Sequence, residues 1–255
     1  MKIATMKKLN SLELQDLAKA IERNEINLEV GSLSFDERLE MILEDVISER
    51  ERRHTARLIK NAFLKYPDAS IESLDYEARE LTRDNILHLS KLRFIETATN
   101  LVLTGPAGAG KTYLACALGV EACKNSYRTL YIRMNDFLRN MENQRDNVRE
   151  MKKYLRRIGN YHVLIIDEWL SHEITEKEAK NLYELLELRK GNNPTLFVSQ
   201  YAMEDWYSRL GGGAMAESLL DRIVHNAFPI KSNKTNLRRK YDEMKLKQFL
   251  ESMNN

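Results

Sequence analysis

No apolar run in this 255-residue sequence approaches the roughly 18 residues a membrane-spanning helix needs. The opening MKIATMKKLNSLELQ carries charges but no hydrophobic core of a signal peptide. A cytoplasmic protein without a membrane partner is expected. Cysteine is nearly absent. Cys116 and Cys123, seven positions apart, would share one helix face but sit too far apart to bond to each other, so they are expected to be reduced core thiols. Net charge is also nearly absent, with 40 Lys and Arg against 38 Asp and Glu. Composition alone therefore does not mark a nucleic-acid binder, and only the distribution of charge can. The sequence contains neither an internal repeat nor a low-complexity segment, and its length suffices for one large or two small domains with a real core.

The informative stretch is LVLTGPAGAGKT. It fits G-x-x-x-x-G-K-[ST] through Gly105, Gly110, Lys111 and Thr112, after the apolar Leu101, Val102 and Leu103 and before the helix-like YLACALGVEACKN. Gly105, Pro106, Ala107, Gly108, Ala109 and Gly110 would turn successive backbone N–H groups onto a polyphosphate. Lys111 would span the β and γ phosphates, the Thr112 hydroxyl would ligate Mg²⁺, and Tyr113 follows in the same cradle. A second element, YHVLIIDEW, reads as a buried strand, Val163 to Ile166, ending in Asp167-Glu168. Asp167 follows Lys111 by 56 residues, which leaves room for the helix, strand and helix that a parallel sheet requires. ATP and Mg²⁺ are the expected cofactors.

Around this pair the chain reads as helices first, then strand–helix alternation, then a basic tail. Residues 9–24 carry Leu12, Leu14, Leu17, Ala18 and Ile21 at helical spacing. Ser34, with Glu37 three residues on, should cap a second helix that runs to about Tyr66 and is stopped by Pro67. Its first half offers Phe35, Leu39, Ile42, Leu43, Val46 and Ile47 for packing. Its second half places Arg50, Arg53 and Arg57 on one side and Leu58, Ile59, Ala62 and Phe63 on the other. Such a basic stripe can follow a DNA phosphate backbone, although a solvated helix face is the plainer alternative. Ile71, Leu74 and Tyr76 could cover the base of the nucleotide, and Asn85 to Phe94 reads as a helix.

Strands are expected at Thr129–Met134 and from Thr195, and helices from Asn135 or Asp136 to Asn143, from Arg145 to Ile158, from Glu173 to Arg189 and from Ala214 to His225. Trp206, Tyr207 and Leu210 should pack a short helix before the break Gly211–Gly213. Beyond Pro229 the sequence LRRKYDEMKLKQFLES reads as basic and helical. Ser199-Gln200, at the end of the strand beginning at Thr195, should lie beside the Asp167-Glu168 pair.

The chemistry follows from the carboxylates. Asp167 would hold Mg²⁺, and Glu168 can polarise a water for in-line attack on a γ-phosphorus. A small-molecule kinase, which must exclude water, has no use for Glu168 there.

On these motifs, together with SFDERLEMILEDVISERERRHTARLIKNA, LRFIETATNLVLTGPAGAGKTYLACALG, TLFVSQY and AMAESLLDRIVHNA, the chain resembles the IstB-like branch of the AAA+ ATPases. These are helpers of bacterial transposases and close to the DnaC-type helicase loaders. The resemblance implies an α/β P-loop fold, a parallel sheet flanked by helices, over residues 67–255, preceded by a small all-helical DNA-binding and assembly domain over residues 1–66. It implies that Arg222 is an arginine finger reaching a neighbouring subunit, that Ser199 and Gln200 are a first sensor, and that Arg238 is a sensor arginine, although Lys234-Thr235-Asn236 stands where the family usually has Gly-Glu-Ser. It further implies an ATP-dependent homo-oligomer on duplex DNA that recruits a cognate transposase. A helicase loader and a P-loop kinase are the competing readings.

Overall fold

The computed structural model describes residues 3–26, 33–74, 83–144 and 147–232. It divides the chain into two compact units, residues 1–57 and 58–255.

The first unit contains α1 (Ile3–Ser11), α2 (Gln15–Ile26) and most of α3 (Phe35–Asn61). The single helix expected over residues 9–24 is two helices. Leu14, Leu17, Ala18 and Ile21 form a complete i, i+3, i+4, i+7 stripe, and Leu12 lies off it. The chain accordingly breaks at Leu12 to Leu14, where Glu13 takes φ 58° and the Leu14 N–H reaches back to the Leu9 carbonyl at 2.9 Å. The cap of α3 is as expected: Glu37 N–H donates to Ser34 Oγ at 3.3 Å and Ser34 N–H to Glu37 Oε2 at 2.7 Å, the reciprocal pair that satisfies two orphan donors. The packing face is narrower than expected, because Val46 is buried while Phe35, Leu39, Leu43 and Ile47 stay exposed. α3 also stops short of Tyr66. The Ala62 carbonyl accepts the N–H of Tyr131 at 2.8 Å, and Phe63 turns to φ 53°. Pairing with the sheet edge, and not Pro67, ends the helix.

In the second unit, five strands form one parallel sheet: β1 (Asn100–Thr104), β2 (Thr129–Arg133), β3 (Val163–Asp167), β4 (Thr195–Ser199) and β5 (Ala227–Lys231), ordered β2-β3-β4-β1-β5. Alternate residues face opposite layers, as the period of two requires. Leu101, Leu103, Val163, Ile165, Leu196 and Val198 pack against α4 (Arg83–Ser90), α5 (Arg93–Glu96) and α6 (Lys111–Lys124). Val102, Leu164, Ile166 and Phe197 pack against α7 (Met134–Glu142), α8 (Val148–Gly159), α9 (Glu176–Arg189), α10 (Trp206–Arg209) and α11 (Gly213–Val224). Trp169, Phe197 and Trp206 form an aromatic cluster in this second layer, with centroids 4.7 to 6.2 Å apart. Cys116 and Cys123 are buried free thiols, and burial pushes the Cys116 thiol up to about 11.

The helix expected over Asn85 to Phe94 is split by Leu92, buried at φ 58°. α8 starts after Asn147, whose side chain accepts from Glu150 N–H at 3.1 Å, and α9 starts after Thr175, which forms a capping box with Glu178. Each sits three residues later than expected because the capping side chain, not the first charged residue, sets the start. The helix expected over LRRKYDEMKLKQFLES, beyond Pro229, lies outside the described residues, and the stretch before it forms β5, a strand with no counterpart among the sequence expectations. It pairs with β1 in register from Asn100↔Ala227 to Thr104↔Lys231, and its edge position tolerates a proline that cannot donate. Tyr76, Arg238 and the rest of residues 233–255 lie outside the described residues.

One charged side chain supports this layer from within. Arg189, 2% exposed, donates to Thr195 Oγ1 at 2.9 Å and to the carbonyls of Gly159 at 3.0 Å, Tyr161 at 2.7 Å and Pro194. It thus ties the end of α8, the turn before β3 and the start of β4 to α9, and burial lowers its guanidinium to about 9. Arg189→Met should leave those carbonyls without donors and lower unfolding stability by about 3–5 kcal/mol. Urea denaturation of both proteins measures this, and a change within about 1 kcal/mol would contradict the bracing role.

Candidate nucleotide site

The C-terminal ends of β1, β3 and β4 gather the motif residues, the edge at which ligands bind in open parallel sheets. β1 delivers the loop Gly105 to Gly110, and α6 begins at Lys111. Gly105 has φ 140°, and a Cβ there would meet the Ser232 carbonyl oxygen at 2.6 Å. Gly108 and Gly110 take φ 83° and 76°. These are conformations L side chains rarely adopt, and they turn the loop into the N-terminus of α6, where N–H groups and the helix dipole favour an anion. Pro106 and Ala107 are exposed on the loop, and Ala109 is buried beneath it.

Lys111 is 6% exposed. Its ammonium donates to the carbonyls of Gly105 at 2.7 Å and Pro106 at 2.8 Å. Burial lowers its pKa to about 8, against an opposing pull from Asp167. The buried Asp167 carboxylate accepts from Thr112 Oγ1 at 3.0 and 3.2 Å, from the Tyr131 hydroxyl at 2.7 Å and from Glu168 N–H at 2.8 Å. Burial and the Asp167 charge drive the Tyr131 phenol well above its ordinary range, so it is the donor. Tyr131 has no counterpart among the sequence expectations. It lies inside the apolar strand TLYIR, and only the register of β2 beside β3 brings its hydroxyl to Asp167.

Glu168 stands one residue past β3 at φ 57°, half-buried, and its carboxylate makes no hydrogen bond or ion pair among the described residues. Such a backbone conformation is uncommon outside glycine and aims the side chain away from the strand's alternation. Ser199 is buried at the end of β4, beside Thr104. Its hydroxyl donates to Trp169 O at 2.9 Å and accepts from Tyr201 N–H at 3.1 Å, while Gln200 is exposed at the same edge. Tyr113 turns from the loop toward the preceding segment: its hydroxyl accepts from Ser70 N–H at 3.3 Å and meets Ser73 Oγ at 2.7 Å, next to the buried Ile71 and Leu74.

The other expected residues lie elsewhere. Arg222, on α11, is near the opposite end of β1, where the Asn100 side-chain amide donates to the carbonyls of Arg222 at 3.4 Å and Ile223 at 3.2 Å. β1 is five residues long, so about 15 Å separates that end from Gly105. In the first unit, Arg50 and Arg53 share the carboxylate of Asp16 at 3.1 and 2.6 Å, and Arg57 meets His54 at 3.2 Å. Among the described residues no cluster of three or more His, Cys, Asp or Glu could hold a metal, and no helix is long and apolar enough to cross a membrane. A divalent ion would therefore rely on the oxygen donors of Thr112 and Asp167 together with phosphate and water, the set that suits Mg²⁺.

A polyphosphate bound in this loop would take the ammonium of Lys111 in place of two loop carbonyls. Lys111→Ala should lose that charge-assisted contact and weaken ATP binding by at least about 100-fold. A titration with fluorescent ATP checks this, and unchanged affinity would refute the assignment of the loop.

A model of the family described as IstB-like ATP binding protein matches residues 7–245. A protein of Sinorhizobium fredii named as an insertion sequence ATP-binding protein is 35% identical over 236 residues, covering 92% of this chain and 96% of the relative. Among solved structures, that of DnaI is similar with a TM-score of 0.58 at 22% identity, covering 71% of this chain and 99% of that one. The DnaC helicase loader gives 0.55 at 18%, covering 66% and 99%. These likenesses match the AAA+ P-loop fold of the sheet and its flanking helices. The chain belongs to the family of IstB-like ATP-binding proteins.

Proposed function

We propose that this protein is a cytoplasmic ATP hydrolase that assembles as a homo-oligomer on duplex DNA and assists a transposase in target selection. The observation that carries the hydrolase reading is Glu168 held at the end of β3 beside the Thr112–Asp167 pair. The link to transposition is supported by the relative named as an insertion sequence ATP-binding protein. The loop Gly105 to Gly110 and the N-terminus of α6 bind the phosphates, and Lys111 balances their charge. Thr112 and Asp167 would hold Mg²⁺, which would supply positive charge to offset that of the phosphates during hydrolysis. Tyr131 donates to Asp167 and holds it aimed at Thr112, and Glu168 orients a water for in-line attack. Ser199 anchors the turn that carries Gln200 along the same edge, and Arg238 is assigned a sensor role on the resemblance alone.

Arg222 completes the site in trans. Its place near the far end of β1 leaves it out of reach of its own phosphate loop, so an arginine finger there would serve the neighbouring protomer. The N-terminal helices supply the DNA contact and part of the assembly surface: Arg50, Arg53 and Arg57 lie along one side of α3, the first two with side chains about half exposed.

The principal test is ATP turnover with and without duplex DNA. Glu168→Gln should bind ATP with wild-type affinity yet hydrolyse it at least about 100-fold more slowly; wild-type turnover would end the general-base assignment. Mixing Arg222→Ala with Lys111→Ala, each inactive alone, should restore part of the activity by pairing an intact loop with an intact finger, and absence of recovery despite co-assembly would place Arg222 outside the mechanism in trans. Replacing Arg50, Arg53 and Arg57 together should weaken duplex binding for all sequences alike and reduce the slope of log K against log salt by about 2 to 3. An unchanged slope would return α3 to a solvated face. Duplex-stimulated hydrolysis without a phosphorylated small molecule separates this reading from a kinase.

A further inference from the structure

We propose that Tyr183 and Glu187 on α9 are positioning residues that hold the Arg222 guanidinium ready for the phosphate of a neighbouring protomer. The inference rests on the finger reading above and extends it to residues in a different helix. Tyr183 and Glu187 are four residues apart in α9 and so lie on one face of it, one turn from each other. α11 packs on α9, with Leu219, Ile223, Leu182 and Leu186 in one buried cluster, and Arg222 meets that face.

A guanidinium carries five N–H donors in a rigid plane. In Arg222, Nε donates to Glu187 Oε2 at 2.6 Å, Nη1 to the Ser218 carbonyl at 3.0 Å, and Nη2 to the Tyr183 hydroxyl. The Tyr183 ring also lies 4.0 Å from the guanidinium carbon, which fixes the tilt of the plane as well as its edge. Among the described residues one donor on Nη1 and one on Nη2 have no partner, which leaves two N–H groups for the oxygens of a phosphoryl group.

The exposures fit the same role. The Arg222 side chain is 14% exposed and that of Glu187 52%. The cation is therefore nearly immobilised but reaches the surface, and its counter-charge is half-solvated and too well screened to cancel it. A free surface arginine must give up its rotamer freedom whenever it engages a ligand. One held by two side chains and a carbonyl has given it up on folding, so the oligomer forms with the finger in place. Neither Tyr183 nor Glu187 touches any residue of the phosphate loop in the same chain, so removing them should spare nucleotide binding.

The test uses the full-length protein with duplex DNA and compares Glu187→Ala, Tyr183→Leu, Tyr183→Phe and Arg222→Ala for ATP affinity, kcat and Tm. Glu187→Ala and Tyr183→Leu should lower kcat by about 10- to 100-fold with ATP affinity unchanged, the size of effect expected when a catalytic group is misplaced by about 1 Å. Tyr183→Phe, which keeps the ring, should lose less. Two readouts separate positioning from general damage. Lys111→Ala subunits should restore activity to Glu187→Ala in mixed oligomers, since they bring an intact finger to its intact loop. The double variant Arg222→Ala/Glu187→Ala should be no slower than Arg222→Ala alone. If Arg222→Ala abolishes hydrolysis while Glu187→Ala and Tyr183→Leu both keep wild-type kcat, positioning by α9 is overturned and the finger stands. If Glu187→Ala, with its Tm intact and co-assembly shown, is not rescued by Lys111→Ala, positioning is likewise overturned. If Arg222→Ala itself keeps wild-type kcat, the finger reading fails first.

Discussion

A buried carboxylate that must find hydrogen-bond donors organises the nucleotide edge of this protein. Asp167 is 3% exposed, and a carboxylate so far from water is tolerated only where donors replace its hydration. Three arrive from three elements: Thr112 from the first turn of α6, the Tyr131 hydroxyl from β2, and the N–H of Glu168 from the chain leaving β3. The need to satisfy one anion therefore sets the position of α6 against the sheet, the register of β2 on β3 and the turn that carries Glu168. A γ-phosphate and a divalent ion would meet donors and acceptors already fixed, which is how a site acts through electrostatic preorganisation.

The two ends of the sheet divide the labour. At the C-terminal edge, glycine backbone, Lys111, Thr112, Asp167 and Glu168 converge. At the other, Asn100 ties the start of β1 to the end of α11, and Arg189 binds the carbonyls that close α8 and open β4. Arg222 belongs to that second end. Because that end is about 15 Å from Gly105, the proposed finger would act on the phosphate loop of a neighbouring protomer and not on its own. The N-terminal unit carries its own charge logic: Asp16 partly offsets Arg50 and Arg53, and a duplex would compete with that carboxylate for both.

What the linear sequence determined was local and repetitive. The glycine spacing, the apolar runs of β1, β3 and β4, and the Ser34–Glu37 cap depend on neighbours within a few positions. Each keeps its meaning whatever the rest of the chain does, so the parallel α/β fold and the phosphate loop could be read directly. What only the tertiary structure decided depends on partners far apart in sequence. α3 ends at Asn61 because β2 takes the Ala62 carbonyl, and Ala227–Lys231 is a strand because β1 offers an unpaired edge that even Pro229 can join. Tyr131 is a ligand of Asp167, and Tyr183 and Glu187 hold Arg222, because helix and strand packing closes gaps of 36, 39 and 35 residues. No periodicity in the sequence encodes such pairings; they appear only once hydrophobic burial has stacked the layers and left each buried polar group to find its partner.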